Sequence, residues 1–296
     1  MDRSQHGPDL TVIAVAQLAI TVGEPEVNRQ TAAGAVAEAA AAGARLVVLP
    51  ELCDSGYVFG DVAVQAAAEA LGLATRAADS VTLRQWRSLA DAHQLVIAGG
   101  FCELGADGRL YNSAAVVDAS GTRAVYRKAH LWDKEKLVFT PGDAPPPVVD
   151  LAFGRVALMI CYDLEFPEWV RLAALDGADV IAAPVNWPAY SWPAGERPAE
   201  VIKAQAAAAT NGVFVAVADR CQLERGVSWI SGSVIVGPDG YPLNGPVLAD
   251  RPAVLTAACD LFRARDKALA SDNDLLADRR PELYAGVSEV GLTRIT

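Results

Sequence analysis

A chain of 296 residues, 52% hydrophobic, 21% charged and only 7% aromatic, is long enough to bury a large aliphatic core. Its formal net charge of −11 argues against nucleic acid or an anionic membrane surface as the main partner. Five scattered cysteines with no C-x-x-C pair give no support to a zinc ribbon or a thioredoxin-type site, and fit reduced thiols in a cytoplasmic protein.

Apolar β-rich runs alternate with alanine-rich helical runs. Residues 10–19 predict a buried strand and 24–42 a helix closed by Gly43; 45–50 predict a second strand that stops at Glu51. Helical patterns between about 61 and 94 break near Asp79. Strands at 95–104, 112–119 and 122–128 follow, the last two joined as a hairpin at Ser120-Gly121. A loop rich in proline and acid, 133–147, leads to strands at 148–150 and 156–160, a helix at 165–176, a strand at 179–184 and a helix at 199–211. Strands at 213–219, 233–236 and 254–259 complete the core, with a turn at Gly237-Pro238-Asp239-Gly240.

No flexible linker, repeat or low-complexity tail divides the chain, so one domain is expected. The apolar runs are too short to span a bilayer, and the first eight residues lack the apolar run of a secretory signal. Hairpins with helices outside them predict two sheets packed face to face between helix layers. A doubly wound parallel sheet is the alternative, which the 112–128 hairpin fits poorly. Neither G-x-G-x-x-G nor G-x-x-x-x-G-K-[ST] occurs at a strand-to-helix turn, so nucleotide binding has no support.

Three polar residues close predicted strands: Glu51 after Leu-Val-Val-Leu-Pro, Lys128 after Ala-Val-Tyr-Arg, and Cys161 after Val-Ala-Leu-Met-Ile. A thiol between a strand and a helix sits beside free N–H groups and the positive end of the helix dipole, a setting that favours thiolate and supplies oxyanion donors. A carboxylate, an ammonium and a thiol on rigid strand ends could share one pocket. Glu51 would then be the general base and later the acid, Lys128 the stabiliser of the thiolate and oxyanion, and Tyr162 N–H a second oxyanion donor. The competing reading is that each is a polar residue where solvent begins. Of the three histidines only His130 is a serious base candidate, and a Cys161–His130 dyad stays open on these grounds.

The segments Leu49-Pro50-Glu51-Leu52, Ser55-Gly56-Tyr57, Tyr126-Arg127-Lys128-Ala129-His130-Leu131 and Phe139-Thr140-Pro141-Gly142-Asp143 carry a further message. So do Ile160-Cys161-Tyr162-Asp163, Phe166-Pro167-Glu168, Arg171, Pro184-Val185-Asn186-Trp187, Gly232-Ser233 and Arg279-Arg280-Pro281-Glu282-Leu283-Tyr284. In this order they resemble the nitrilase superfamily of carbon–nitrogen hydrolases over nearly the whole chain. The resemblance implies a four-layer αββα sandwich (core about 10–260) that dimerises, with the tail 261–296 at the dimer interface and larger assemblies known among relatives. It implies a Glu51–Lys128–Cys161 triad, with Glu135 as a second carboxylate that positions the amide and the lysine. No metal or organic cofactor is implied. His130 becomes a support of the lysine strand, and Asp163 and Arg171 organisers of the nucleophile helix.

Tyr57, Trp132, Asn186 and Trp187 are candidate walls of a small, mostly apolar pocket, with core packing as the other reading of each. The Tyr162-Asp163-Leu164-Glu165 continuation after the cysteine is nearer the amidase and carbamoylase branches than true nitrilases. The expected activity is therefore hydrolysis of a small carboxamide, then of an N-carbamoyl amine or amino acid, then of a nitrile. A carbamoyl amino acid would want a cation, for which Arg197, Lys203 and Arg220 are near in sequence. A catalytically silent member of the fold, or a thiol redox sensor pairing Cys161 with Cys53, is the alternative of another class.

Overall fold

The computed structural model describes residues 10–60, 62–284 and 286. Asp61, His6, the remaining N-terminal residues read for a signal, and most of the tail beyond Tyr284 lie outside the described residues.

In chain order the main elements are β1 (Thr11–Ala19), α1 (Pro25–Ala41), β2 (Leu46–Val48), α2 (Ala63–Leu73), α3 (Val81–His93), β3 (Val96–Leu104), β4 (Leu110–Asp118), β5 (Gly121–Arg127), β6 (Val148–Leu151) and β7 (Gly154–Leu158). Then come α4 (Pro167–Leu175), β8 (Val180–Pro184), α5 (Ala199–Asn211), β9 (Phe214–Ala218), β10 (Arg220–Cys221), β11 (Val234–Val236), β12 (Pro242–Asn244) and β13 (Ala253–Cys259). One sheet runs β10-β1-β2-β3-β4-β5 with β13 also on β1; the other runs β12-β11-β9-β8-β7-β6.

Period-two patterning separates the layers. Along β1, Ile13 and Val15 point into the core shared with the second sheet, while Ala14, Ala16 and Leu18 face the helices. Ala32, Ala35, Val36 and Ala39 of α1 with Leu83, Trp86 and Ala90 of α3 cover that outer face. Val170 and Ala173 of α4 with Val201, Ala204 and Ala208 of α5 cover the second sheet. The result is an αββα sandwich. Small side chains on α1 and α5 let both helices lie close on their sheets, and at ~25 cal/mol per Å² this apolar burial is the main favourable contribution.

Local signals set the helix limits. Pro25 and Pro167 occupy first-turn positions of α1 and α4, where a missing N–H costs nothing. Ser80 caps α3 by accepting from Leu83 N at 3.3 Å. α5 ends on Gly212 at φ 59°, and Gly43 turns the chain out of α1 at φ 81°. The break near Asp79 is a short 3-10 turn, Ala77–Asp79. One boundary differs in a way that matters. The helix expected from 165 starts at Pro167, and Cys161–Glu165 form a 3-10 turn instead.

β1, β2 and β3 are parallel, β4 reverses, and β5 reverses again, so β5 runs with β3. β7, β8 and β9 are parallel in the second sheet. The residues after β2, β5, β7 and β8 therefore leave strands at their carboxyl ends, which is where Glu51, Lys128, Cys161 and Asn186 lie.

Candidate active site

Glu51 sits in the turn after β2, pressed against β3. A Cβ on Gly100 would lie 2.4 Å from Leu52 N and 2.6 Å from Glu51 Cα, so only glycine admits this approach. Leu52 takes up the turn at φ 46°. Gly142 plays the matching part for the lysine: a Cβ there would meet Arg127 O at 2.2 Å, and its N–H donates to Lys128 O at 2.9 Å. The loop after β5 can therefore fold back across the lysine strand. That return places Glu135, in the 3-10 turn Asp133–Leu137, beside Lys128.

The Lys128 ammonium donates to Glu51 Oε1 and Glu135 Oε1, each at 2.7 Å, and both Lys128 and Glu51 have fully buried side chains. Asn112, on β4, donates to Glu51 Oε1 at 2.7 Å. Tyr57 Oη donates to Glu135 Oε1 at 2.5 Å, and Trp132 N donates to Glu135 Oε2 at 3.2 Å. Among the described residues Glu51 Oε2 has no hydrogen-bond partner, which leaves it the oxygen able to receive a proton. Burial raises the Glu51 carboxyl, Lys128 opposes this, and Glu135 adds to it, so that it is pushed up to about 7. Burial disfavours the Lys128 charge, yet Glu135 and Glu51 outweigh it and hold the ammonium well above its ordinary value.

Cys161 occupies the first position of its turn with φ 48°, an uncommon value for a residue with a side chain. Its Sγ lies 3.8 Å from Asn186 O, and Asn186 Nδ2 donates to Glu51 O at 3.0 Å. One residue after β8 thus joins the thiol to the backbone of the carboxylate. The expectation that this junction favours thiolate needs correcting. Burial, then the Glu51 carboxylate, push the thiol well above its ordinary value against the pull of Lys128. A five-residue 3-10 turn offers too little aligned backbone dipole to offset that. The resting group is a thiol, and it needs a base.

Asp163 ties the nucleophile turn to the lysine strand. It accepts from Ile160 N at 3.1 Å, His130 N at 3.0 Å and Tyr126 Oη at 2.8 Å, and its Oδ1 lies 2.7 Å from His130 Nδ1. His130 stacks on Phe166 with centroids 3.8 Å apart. The histidine is thus held by Asp163 and Phe166 as a support of the lysine strand. Arg171 donates to Thr210 O at 2.6 Å, joining α4 to α5.

A cavity of about 260 Å³ opens beside Glu135, lined by Tyr57, Phe59, Trp132, Phe139, Pro188 and Trp229 among others. Tyr57 and Trp132 line it. Asn186 and Trp187 are not among its lining residues, and neither are Glu51, Lys128, Cys161 and Tyr162. Asn186 Nδ2 donates to Glu51 O while its buried Oδ1 has no hydrogen-bond partner among the described residues; Trp187 is 3% exposed, with its backbone N–H on Asp219 and its ring against Gly232. Tyr162 stands edge-on to Trp132 at 4.8 Å. Sequence reasoning missed Asn112, whose signal was a polar Asn-Ser pair inside an apolar strand, and the buried Asp219 and Glu224.

The model of the carbon–nitrogen hydrolase family matches residues 12–268. This chain belongs to that family. The carbon–nitrogen hydrolase is 37% identical over 272 residues to a nitrilase of Pyrococcus abyssi, covering 92% of this chain and 98% of that one. It is 32% identical to an (R)-stereoselective amidase of a Pseudomonas species, over 90% of this chain and 91% of the other. Among solved structures, a mutant of the Nesterenkonia AN1 amidase from the nitrilase superfamily superposes with a TM-score of 0.78 at 29% identity, covering 97% of this chain and 100% of that one. Another structure of that amidase carries the acetamide moiety of fluoroacetamide added covalently at its active site cysteine. The protein is a carbon–nitrogen hydrolase enzyme of the nitrilase superfamily, and no helix among its described residues is long and apolar enough to cross a membrane.

Proposed function

We propose that this hydrolase is a cysteine amidase that converts a small carboxamide to a carboxylic acid and ammonia through a thioester on Cys161. The observation that carries the reading is the buried Lys128 ammonium 2.7 Å from both Glu51 and Glu135, at the strand ends that also deliver Cys161. Glu51 Oε2 takes the thiol proton as sulfur attacks the amide carbon, forming the C–S bond and a tetrahedral oxyanion. Lys128 and Tyr162 N–H stabilise that oxyanion. Glu51 returns the proton to nitrogen as the C–N bond breaks, and ammonia leaves. Glu51 then takes a proton from water, whose oxygen displaces sulfur, and the acid and thiol are restored. Glu135 holds the lysine and the substrate amide. The covalent adduct on the cysteine of the Nesterenkonia amidase supports this role for Cys161.

The pocket supports an uncharged substrate with a compact, apolar acyl group, since its walls are mostly aromatic and aliphatic. The three cations once weighed for a carbamoyl carboxylate are engaged elsewhere. Arg197 donates to Gln205, Lys203 pairs with Glu165, and Arg220 pairs with Glu224. Against a redox pair, Cys53 and Cys161 pack in different hydrophobic clusters. The proposal includes a single domain over 1–296, a homodimer or higher oligomer with 261–296 at its interface, and a cytoplasmic setting.

The test is ammonia release from a panel of carboxamides, N-carbamoyl compounds and nitriles, with Cys161→Ala alongside. Release from short aliphatic or aromatic amides, lost in the variant while the circular dichroism is kept, is the expected result. Release chiefly from carbamoyl compounds would overturn the substrate reading, and turnover by Cys161→Ala would overturn the mechanism.

A further inference from the structure

Outside the reacting groups, one buried ion pair, Arg220–Glu224, reaches the loop that bears Tyr57. Arg220, on β10, has no exposed side-chain surface, and Glu224 has 3%. Arg220 Nη2 donates to Glu224 Oε1 at 2.6 Å and to Ile20 O at 2.8 Å. The Glu224 carboxylate accepts from Val58 N at 2.7 Å and from Tyr57 N at 3.2 Å. The approach depends on Gly56, at φ 83°, where a Cβ would lie 2.8 Å from Glu224 Oε1. The same guanidinium lies 4.7 Å from the centroid of the Trp229 ring, whose ring meets Tyr57 edge-on at 5.6 Å. Backbone and ring of Tyr57 are thus both fixed by Arg220 and Glu224, directly or through Trp229.

We infer that Arg220 and Glu224 are positioning residues of the active site, holding the Tyr57 phenol on Glu135 so that Glu135 keeps its grip on Lys128. This rests on the reading of Cys161, Glu51 and Lys128 as the reacting groups. The physical case is cost. A buried ion pair offsets its desolvation only with good geometry and further hydrogen bonds. Here the further bonds of Glu224 go to the backbone of one short loop, whose phenol touches Glu135 at 2.5 Å, while Arg220 bonds Ile20 O and its Nε and Nη1 have no hydrogen-bond partner among the described residues. A carboxylate that must grip an ammonium gains from a neighbour that cannot drift, because small misplacements at a reacting centre carry large rate penalties.

The test uses iodoacetamide, whose alkylation of Cys161 forms a C–S bond, expels iodide and passes the thiol proton to Glu51, with intact mass as the readout. Cys161→Ala must remove the fast alkylation; if it does not, the underlying assignment fails rather than this inference. Glu224→Gln is expected to slow the fast alkylation roughly tenfold in protein that is folded by circular dichroism. Combined with Tyr57→Phe, it should add less than about a twofold further loss, because both changes break one linkage. Wild-type alkylation in Glu224→Gln would overturn the inference, as would an undiminished loss in the Tyr57→Phe background. A purely structural role would lower the melting temperature and leave the alkylation rate of the folded protein unchanged. Should Glu224→Gln not fold, Arg220→Lys, which keeps the charge and loses the guanidinium fork, is read in the same way.

Discussion

Two buried ionic clusters lie close to the pocket, and they differ in what their oxygens and nitrogens touch. In Glu51–Lys128–Glu135 the bonds run mainly between side chains, and one oxygen of Glu51 has no partner among the described residues. In Asp219–Arg220–Glu224 the carboxylates are mostly occupied by backbone. Asp219 accepts from Trp187 N, Arg220 N and Gly232 N, and Glu224 from Tyr57 N and Val58 N. Each cluster contains a carboxyl that burial pushes up to about 7, Glu51 in the first and Asp219 in the second. A raised carboxyl therefore does not mark the reacting group. The partners do: backbone bonds fix a carboxylate in place, whereas a free oxygen beside a thiol and an ammonium can move a proton.

The largest break of this contrast is Lys128→Met. It removes the oxyanion donor, which should cut amide hydrolysis by about 10²–10³-fold. It also strands two buried carboxylates, for a loss of about 3–5 kcal/mol in urea unfolding. Next is pH. The base form of Glu51 exists only above its raised pKa, so kcat/KM should rise with pH through a limb near 7 and fall about tenfold per unit below it. Asp219 titrates in the same range without transferring protons, so a limb that survives in Glu51→Gln with most of its amplitude would break the assignment.

A smaller effect sharpens the link between nucleophile and lysine. Asp163→Asn leaves fewer acceptors for Ile160 N, His130 and Tyr126, and should cost about 1–3 kcal/mol with a measurable drop in kcat. The smallest expected change is at Arg171. Arg171→Ala loses one bond to Thr210 O, about 0.5–1.5 kcal/mol in a thermal melt, and should leave kcat/KM at the wild-type value. Asp163 and Arg171 read alike as organisers of one helix; these two measurements separate them.

What the linear order carried well was local. Period-two runs and the glycine positions define most strands and helices to within a few residues, because dihedral preference and alternating burial act between near neighbours. The ordered motifs around Glu51, Lys128, Glu135 and Cys161 likewise marked those four residues and the αββα fold. Where the reading missed, the deciding partner was remote. Cys161 gave the expectation of a thiolate, but its state is governed by burial and by Glu51, which is brought near only when the two sheets pack. Asn186 and Trp187 looked like pocket walls, but they do not line the cavity beside Glu135: Asn186 bonds the backbone of Glu51 and Trp187 the carboxylate of Asp219. Arg220 was a cation near only in sequence, and it pairs with Glu224 and donates to Ile20 O. The sequence by itself determined the elements, the family resemblance and the chemical types at the strand ends. Tertiary structure alone decided their protonation and their partners, since burial and Coulomb terms depend on distances between residues far apart in the chain.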